Sequence, residues 1–248
     1  MAEEWIYGIH AVSAALDVQE ADTLWVVRER QNDRRLTPLI AEASRQGLPV
    51  HVETAEYLAR KCLSEHHQGV LARALPRSEP DALALLEKTQ GKAFFLALDG
   101  IVDPHNLGAC LRSAEAAGVT AVILPRDNAC PVNATVRKAA AGAASWLPVC
   151  MVTNLARTLD QMKDRGCWVV GLAGDGENTL YGTDLRGPLI LALGSEQKGL
   201  RRLVREKCDF LVRIPMAGRI ESLNVSVAAG VALFEAQRQR LSLSVAGE

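Results

Sequence analysis

The chain has 248 residues, 48% of them hydrophobic, which is enough for one large domain or two smaller ones with a sizeable core. Lysine and arginine number 28 against 29 aspartates and glutamates, so overall charge points to no nucleic-acid partner and any such partner must be argued from local clusters. No apolar run approaches the roughly 20 residues that span a bilayer, and the acidic start Met1-Ala2-Glu3-Glu4-Trp5 lacks the apolar core of a signal peptide, so the expectation is a cytoplasmic protein without a membrane partner.

From Ile6 to about Leu75, short strand-like runs alternate with helical patterns. Leu24 to Val27, Pro49 to Val52 and Val70 to Ala74 read as strands. Ala11 to Leu16, Arg35 to Arg45 and Ala55 to Lys61 read as helices, and Gly47 sits where a glycine closes the second of them. This is the pattern of a small α/β module with its own core. Pro76-Arg77-Ser78-Glu79-Pro80 then interrupts the periodicity, because proline neither continues a helix nor donates to a central strand. The expected division is a first domain over 1–76, a linker over 77–80 and a second domain over 81–248.

Beyond the linker the strands become continuously apolar: Phe94 to Leu98, Ala121 to Leu124, Trp168 to Leu172, Leu189 to Leu193 and Phe210 to Ile214. Unbroken apolar strands separated by helices predict a parallel sheet covered on both faces. The helix after the first of these strands takes Asn106 as its expected N-cap and ends before Gly118. Leu107, Cys110, Leu111 and Ala114 form its apolar stripe, and Arg112 falls off it. An alanine-rich helix is expected over Ala134 to Ala144, suited to close backbone approach. A last helix, about Val225 to Arg240, places Val227, Val231 and Phe234 on one face.

The cysteines at 62, 110, 130, 150, 167 and 208 are scattered, with no Cys-x-x-Cys pair and no histidines at metal spacing. They read as reduced thiols acting as small hydrophobes, and no metal is expected. Arginines cluster at 28, 30, 34 and 35 and again at 201, 202 and 205; each cluster taken alone suits a solvated surface as well as a nucleic-acid contact. A dinucleotide fold would show Gly-x-Gly-x-x-Gly after its first strand. Here that strand leads to Asp103-Pro104-His105-Asn106, and the nearest approximation, Gly171-Leu172-Ala173-Gly174-Asp175-Gly176, has the wrong spacing and reads as a turn.

Three polar loops that carry glycines follow apolar strands. They are Asp103-Pro104-His105-Asn106-Leu107-Gly108, Gly194-Ser195-Glu196-Gln197-Lys198-Gly199, and the stretch from Ile214-Pro215-Met216-Ala217-Gly218 to Ser222-Leu223-Asn224-Val225-Ser226. Taken singly, Gly194, Gly199 and Gly218 could be turn residues, Ser222 a helix cap and Asn224 a surface amide. Three such loops at the ends of core strands favour one site for a small molecule.

These motifs resemble those of the SpoU branch of the SPOUT RNA methyltransferases, and within it the enzymes that methylate a guanosine ribose of bacterial 23S rRNA. Ile6-Tyr7-Gly8-Ile9-His10-Ala11-Val12 and His67-Gln68-Gly69-Val70 resemble the substrate-binding module of the same family, so the resemblance covers essentially the whole chain. It implies an α/β protein whose C-terminal parallel-sheet SPOUT domain holds S-adenosylmethionine in a deep trefoil knot. A small ribosomal-protein-L30e-like domain precedes it, and the enzyme is a homodimer. By motif, Leu193, Gly194, Gly199, Ile214, Met216, Gly218 and Leu223 would bind the cofactor, with backbone groups of Gly194, Ile214 and Leu223 at the adenosine. Asn106, Arg112, Glu196, Ser222 and Asn224 would line the methyl-transfer site.

The resemblance gives Arg112 the part of general base. Because a guanidinium hardly ever loses a proton in a protein, the alternative is that Arg112 grips the adjacent phosphate and orients the ribose hydroxyl. Glu196 is either a carboxylate base or an acceptor that orders its loop. Arg219 and Glu221 put charges beside the matched Ser222-Leu223-Asn224 core, where they bear on RNA contacts. The expected substrate is a guanosine in a loop of 23S rRNA, in the peptidyl-transferase region by family, since splayed nucleotides expose the reactive hydroxyl. Methylation of tRNA or of another rRNA ribose is an alternative, and so is a non-catalytic RNA-binding relative. Retention of the whole constellation argues against the last, because binding alone needs none of it.

Overall fold

The computed structural model describes residues 4–76, 78–89 and 91–245; Met1 to Glu3 of the acidic start and Arg77 of the expected linker lie outside the described residues. Two compact units emerge: Met1–Ser78 together with Val132–Trp146, and Glu79–Pro131 together with Leu147–Glu248.

The first unit runs β1 (Trp5–Tyr7), α1 (Ile9–Asp17), β2 (Ala21–Val27), α2 (Thr37–Arg45), β3 (Val50–Glu53), α3 (Ala55–Cys62) and β4 (Val70–Ala74). Its sheet has the order β1-β4-β2-β3, with β4 antiparallel to both neighbours and β2 parallel to β3. Period-two alternation divides the strands between two faces. Ile6, Leu24, Val26 and Val70 pack with Val12 and Leu16 of α1 and Leu39 of α2, whereas Tyr7, Trp25, Val27 and Leu71 pack with Leu58 of α3. The two N-terminal motifs meet here, where Ile9 N donates to Gln68 Oε1 at 2.9 Å. His67 is buried and its Nδ1 accepts from Gly69 N at 3.0 Å. Burial pushes the pKa of this imidazole down, which keeps Nδ1 an acceptor. In the first arginine cluster, Arg30 and Arg35 both pair with Asp33, while Arg28 and Arg34 are exposed.

The second unit opens with α4 (Ala82–Lys88), β5 (Phe94–Asp99), α5 (Pro104–Ala116) and β6 (Ala121–Pro125). The chain then gives the first unit two short helices, α6 (Ala134–Ala139) and α7 (Ala143–Trp146). The single helix expected over Ala134 to Ala144 is thus broken. Ala141 and Gly142 take φ of 52° and 102°, and a Cβ on Gly142 would crowd Ala14 of α1. The close approach is real, and a glycine in left-handed conformation makes it.

The second unit resumes with β7 (Val149–Val152), α8 (Leu155–Lys163), β8 (Trp168–Leu172), β9 (Asn178–Thr179), β10 (Leu189–Gly194), α9 (Arg202–Arg205), β11 (Phe210–Arg213) and α10 (Val225–Val245). Its strands form one sheet of order β7-β6-β5-β10-β8-β11-β9, parallel throughout. Phe95, Ala97, Ile123, Val169, Ile190 and Ala192 pack under α4 and α8. The alternate residues Leu96, Leu98 and Leu191 are equally buried on the other face, where α10 packs against β10 and α5. Burial on both faces is why these strands read as unbroken apolar runs.

Chain order and sheet order differ in a way that matters. After β7 the chain crosses to β8 and leaves a slot beside β5, which β10 later fills. The carboxyl ends of β5, β10, β8 and β11 therefore lie side by side where the winding reverses, and such a switch point opens a crevice.

On α10, the buried face is Ala229, Ala232, Leu233 and Ala236, while Val227 and Phe234 of the expected apolar face are about half exposed. Among the described residues, no helix is long and apolar enough to cross a membrane.

Candidate functional site

The carboxyl ends of β8, β10 and β11 and the start of α10 enclose a cavity. Its walls are apolar, from Leu172, Leu193, Val212, Leu223 and Val225, and polar groups enter from Ser195, Glu196, Glu221 and Ser222. Gly194 lines it for a steric reason. A Cβ there would overlap the carbonyl of Gly199 and the amide nitrogen of Leu200, so the loop can fold back over the strand end only on a glycine. Gly199 itself has φ of 63°, and its N–H closes the loop on Ser195 O at 2.8 Å.

Beside the cavity, residues from all three polar loops converge. Asn224 Nδ2 donates to Asn106 Oδ1 at 3.0 Å and also to Glu196 Oε1, while Asn106 Nδ2 donates to the same Glu196 oxygen at 3.3 Å. That oxygen further accepts from Val225 N at 3.1 Å, so the Glu196 carboxylate stands at the first amide of α10. Asn224 Oδ1 takes the next amide, Ser226 N, at 3.0 Å. Together Glu196 and Asn224 cap α10, the part for which Ser222 was the sequence-level alternative; Ser222 lines the cavity instead.

Asn106 is available to this net because it is not the cap of its own helix. The cap is Asp103, which accepts from His105 N at 3.0 Å, with Pro104 in the first helical position. Proline there has the required φ and no N–H to satisfy, so the start shifts three residues before the expected Asn106. The amide of Asn106 is then free to face α10. The two helices run alongside each other, with Gly230 of α10 next to Ser113 of α5.

Of the expected cofactor residues, Leu193, Gly194, Gly199, Ile214, Met216 and Leu223 border the cavity, and Gly218 does not. Arg112 stands apart from the net. It is exposed on α5, borders no part of the cavity, and makes no hydrogen bond or ion pair among the described residues. The other arginine cluster is spoken for within the chain: Arg201 pairs with Asp99, Arg202 with Glu206 and Arg205 with Asp175. The cysteines are free thiols, and burial pushes Cys110, one turn after Asn106, up to about 12.

A profile described as the SpoU rRNA Methylase family matches residues 93–234, and one described as RNA 2'-O ribose methyltransferase substrate binding matches residues 5–80. The chain belongs to the SpoU rRNA methylase family. Among curated relatives, the 23S rRNA (guanosine-2'-O-)-methyltransferase RlmB of Pectobacterium atrosepticum is 50% identical over 242 residues, 96% of this chain and 98% of the relative. The protein of that name from Escherichia coli K12 is 47% identical over 245 residues, 96% of this chain and 99% of the relative. Among solved structures, the SpoU methyltransferase AviRb from Streptomyces viridochromogenes in complex with AdoMet superposes with a TM-score of 0.82 at 25% identity, covering 97% of this chain and 91% of that one. A TrmH/SpoU tRNA-modifying enzyme from A. aeolicus covers 64% of this chain and 81% of its own length, with a TM-score of 0.56 at 31% identity.

Two features of this SpoU chain escaped the motif reading. Gly171 to Gly176 does form a turn, with Gly176 N bonded to Ala173 O at 3.0 Å, but Leu172, Ala173 and Gly174 also border the cavity. The available signal was position, since this turn follows an apolar strand just as the three recognised loops do. The second is Asp99, a buried carboxylate at the end of β5 that binds Arg201. An aspartate closing an apolar strand was legible; its partner, about a hundred residues later, was not.

Proposed function

We propose that the chain is an S-adenosylmethionine-dependent methyltransferase acting on the 2'-hydroxyl of a guanosine ribose in 23S rRNA. The observation that carries this reading is the meeting of Asn106, Glu196 and Asn224, one from each polar loop, beside a cavity at the switch point of the sheet. An identity of 47–50% over nearly the full length of 23S rRNA guanosine-2'-O-methyltransferases supports that substrate. The tRNA-modifying relative covers a smaller share of the chain, which favours rRNA.

The lining suits the cofactor. Apolar strand-end side chains suit a flat base and the carboxylates of Glu196 and Glu221 suit a cation, while Arg213, which also borders the cavity, donates its guanidinium N–H to the carbonyls of Gly176 and Glu177. Leu193, Gly194, Gly199, Ile214, Met216 and Leu223 would hold it, with Gly218 supporting its loop from outside the cavity. When bound, S-adenosylmethionine supplies a methyl group activated by its positively charged sulfur. The protein's work is then alignment. Asn106 and Asn224, locked together by Glu196, fix the rim against which the ribose rests, and Ser222 adds a hydroxyl beside it. Arg112 grips the phosphate next to the target and holds the 2'-hydroxyl in line, and the hydroxyl proton passes late to solvent. Glu196 on this reading orders the loop, since one of its oxygens accepts from Asn106, Asn224 and Val225.

The same reading takes the second unit as a SPOUT domain with a trefoil knot, supported by the tight crossing at Gly194 and by the late insertion of β10 between β5 and β8. It takes residues 1–76 as an L30e-like RNA-binding domain, 77–80 as the linker and 81–248 as the methyltransferase domain, acting in the cytoplasm on a peptidyl-transferase-region loop. It also takes the enzyme as a homodimer; Val227, Phe234 and Leu241, spaced by seven along α10 and all about half exposed or more, support this.

The test is methyl transfer from labelled S-adenosylmethionine to protein-free 23S rRNA and to bulk tRNA, followed by nucleoside analysis. Label in 2'-O-methylguanosine from 23S rRNA alone is the expected result. Label in tRNA alone overturns the substrate and keeps the chemistry. No label in either RNA or in ribosome-assembly intermediates overturns the enzyme reading.

A further inference from the structure

The loop from Gly194 to Leu200 forms one wall of the cavity, and its end is held from the neighbouring strand. Asp99 lies at the end of β5, directly beside Gly194 in the sheet register, and is 1% exposed. Its Oδ2 accepts from the backbone N of Arg201 at 2.8 Å, and its Oδ1 accepts from Arg201 Nε at 2.6 Å. One buried carboxylate thus takes both the main chain and the side chain of the residue that follows the loop.

This geometry is specific. A buried carboxylate is unfavourable unless its charge is matched and its lone pairs are filled. Here the bonds described for it all come from Arg201, and bonds to an ionised acceptor are shorter and more directional than neutral ones. The loop's own bonds, Gly199 N to Ser195 O at 2.8 Å and Lys198 N to Ser195 Oγ at 3.3 Å, are internal and do not tie it to the sheet. Its other tie runs through Glu196 to the beginnings of α5 and α10. The Asp99 clasp fixes the returning end of the loop by hydrogen bonds, beside the packing of Leu200 into the core next to Gly171. Asp99 also stands four residues before Asp103, the cap of the helix that carries Asn106, so one strand end governs both the cofactor wall and the transfer net.

We infer that Asp99 is a positioning residue for the cofactor: through Arg201 its carboxylate holds the Gly194 to Leu200 loop at the distance from the strand ends that binding requires. This rests on the reading of the cavity as the S-adenosylmethionine site. Asp99 touches neither reactant, so its loss acts on cofactor affinity before it acts on the transfer step.

The experiment uses the full chain and S-adenosylmethionine, with calorimetric Kd and steady-state kcat and KM for Asp99→Asn, Arg201→Gln and Arg201→Lys. Asp99→Asn is expected to weaken cofactor binding about tenfold or more and to raise KM in parallel, with kcat at saturating cofactor within about threefold of the parent. Arg201→Gln acts in the same direction but less, because its backbone N–H still reaches Asp99. Arg201→Lys, which keeps the charge, recovers part of the loss. Cofactor affinity within about twofold of the parent in both Asp99→Asn and Arg201→Gln overturns the inference, as does a fall in kcat with KM unmoved. If Asp99→Asn does not fold, Arg201→Gln decides, since that side chain is 45% exposed and its removal leaves the main-chain bond in place. A parent protein that binds no S-adenosylmethionine removes the cofactor reading itself, whereas a binding parent with unaltered variants removes only the role of Asp99.

Discussion

Arg240 and Arg112, on the two helices that pack side by side in the second unit, are used in opposite ways. At the amino ends of the strands, Arg240 from α10 donates to the carbonyls of Lys92 and Gly187, each at 2.7 Å, and to that of Ala93 at 3.2 Å, and its guanidinium lies 4.9 Å from the centre of the Phe94 ring. Asp209 serves the same end, accepting from Val169 N at 2.8 Å and pairing with Lys163 at 2.7 Å. Arg112, by contrast, is exposed on α5 and bound to nothing among the described residues. Backbone groups beyond the last ladder bond need partners at both ends. The amino ends find them in the chain's own side chains and are closed, whereas the carboxyl ends of β8, β10 and β11 border a cavity. An arginine whose guanidinium is held by the chain stabilises a fold, and one whose donors are free is available to a guest.

That contrast can be broken most directly at Arg112. Replacing it with alanine is expected to lower kcat by about a hundredfold or more while the melting temperature and cofactor Kd stay put. Single-turnover methyl transfer with calorimetry checks this, and near-normal turnover would sink both the phosphate-gripping and the general-base roles. Next in size is Gly194→Ala, where a methyl group must displace the Gly199 carbonyl. It should weaken cofactor binding at least tenfold and cost about 1–3 kcal/mol in urea unfolding. A variant that binds cofactor normally would show that the loop need not close on the strand.

The Glu196 pair comes third. Glu196→Gln keeps an acceptor for Asn106, Asn224 and Val225 and should retain activity to within about tenfold, with Glu196→Ala clearly worse. Equal losses in the two variants would indicate that the charge matters and the ordering does not. At the closed end, Arg240→Ala should cost about 1–3 kcal/mol of stability with kcat per folded molecule unchanged. A drop in kcat there would mean that the two ends are coupled.

The smallest effect belongs to Asp184, at the approach to β10, whose carboxyl is held down at about 2 chiefly by its hydrogen bonds from Arg186. A depressed pKa gives stability that is present above the unfolded value of about 3.9 and is lost as pH falls towards 2. The pair is exposed, so solvent screening keeps the contribution below about 1 kcal/mol. The difference in stability between parent and Asp184→Asn should therefore shrink between pH 4 and pH 2.

Much of this was legible in residue order. The unbroken apolar runs at Phe94, Ala121, Trp168, Leu189 and Phe210 required burial on both faces, and parallel pairing followed. β7 was missed because Val149 to Val152 is too short a run to stand out, and its place at the sheet edge leaves three of its four residues half-buried. The cap of α5 was misplaced because aspartate and asparagine both cap helices, and only Pro104 distinguishes them. The break at Ala141-Gly142 was hidden by helix-favouring alanines on either side, and the contact with Ala14 that requires it is remote in sequence.

The sequence by itself determined most of the elements, the parallel sheet, the three loops and the family, since these follow from local periodicity and from short motifs whose residues act near one another. The tertiary structure alone decided which groups meet. Asn106, Glu196 and Asn224 are separated by 90 and 28 positions, and Asp99 and Arg201 by 102. No local preference encodes such pairs. They exist because β10 enters the slot beside β5 after β8 is already in the chain, and that order of winding brings three distant strand ends to one crevice.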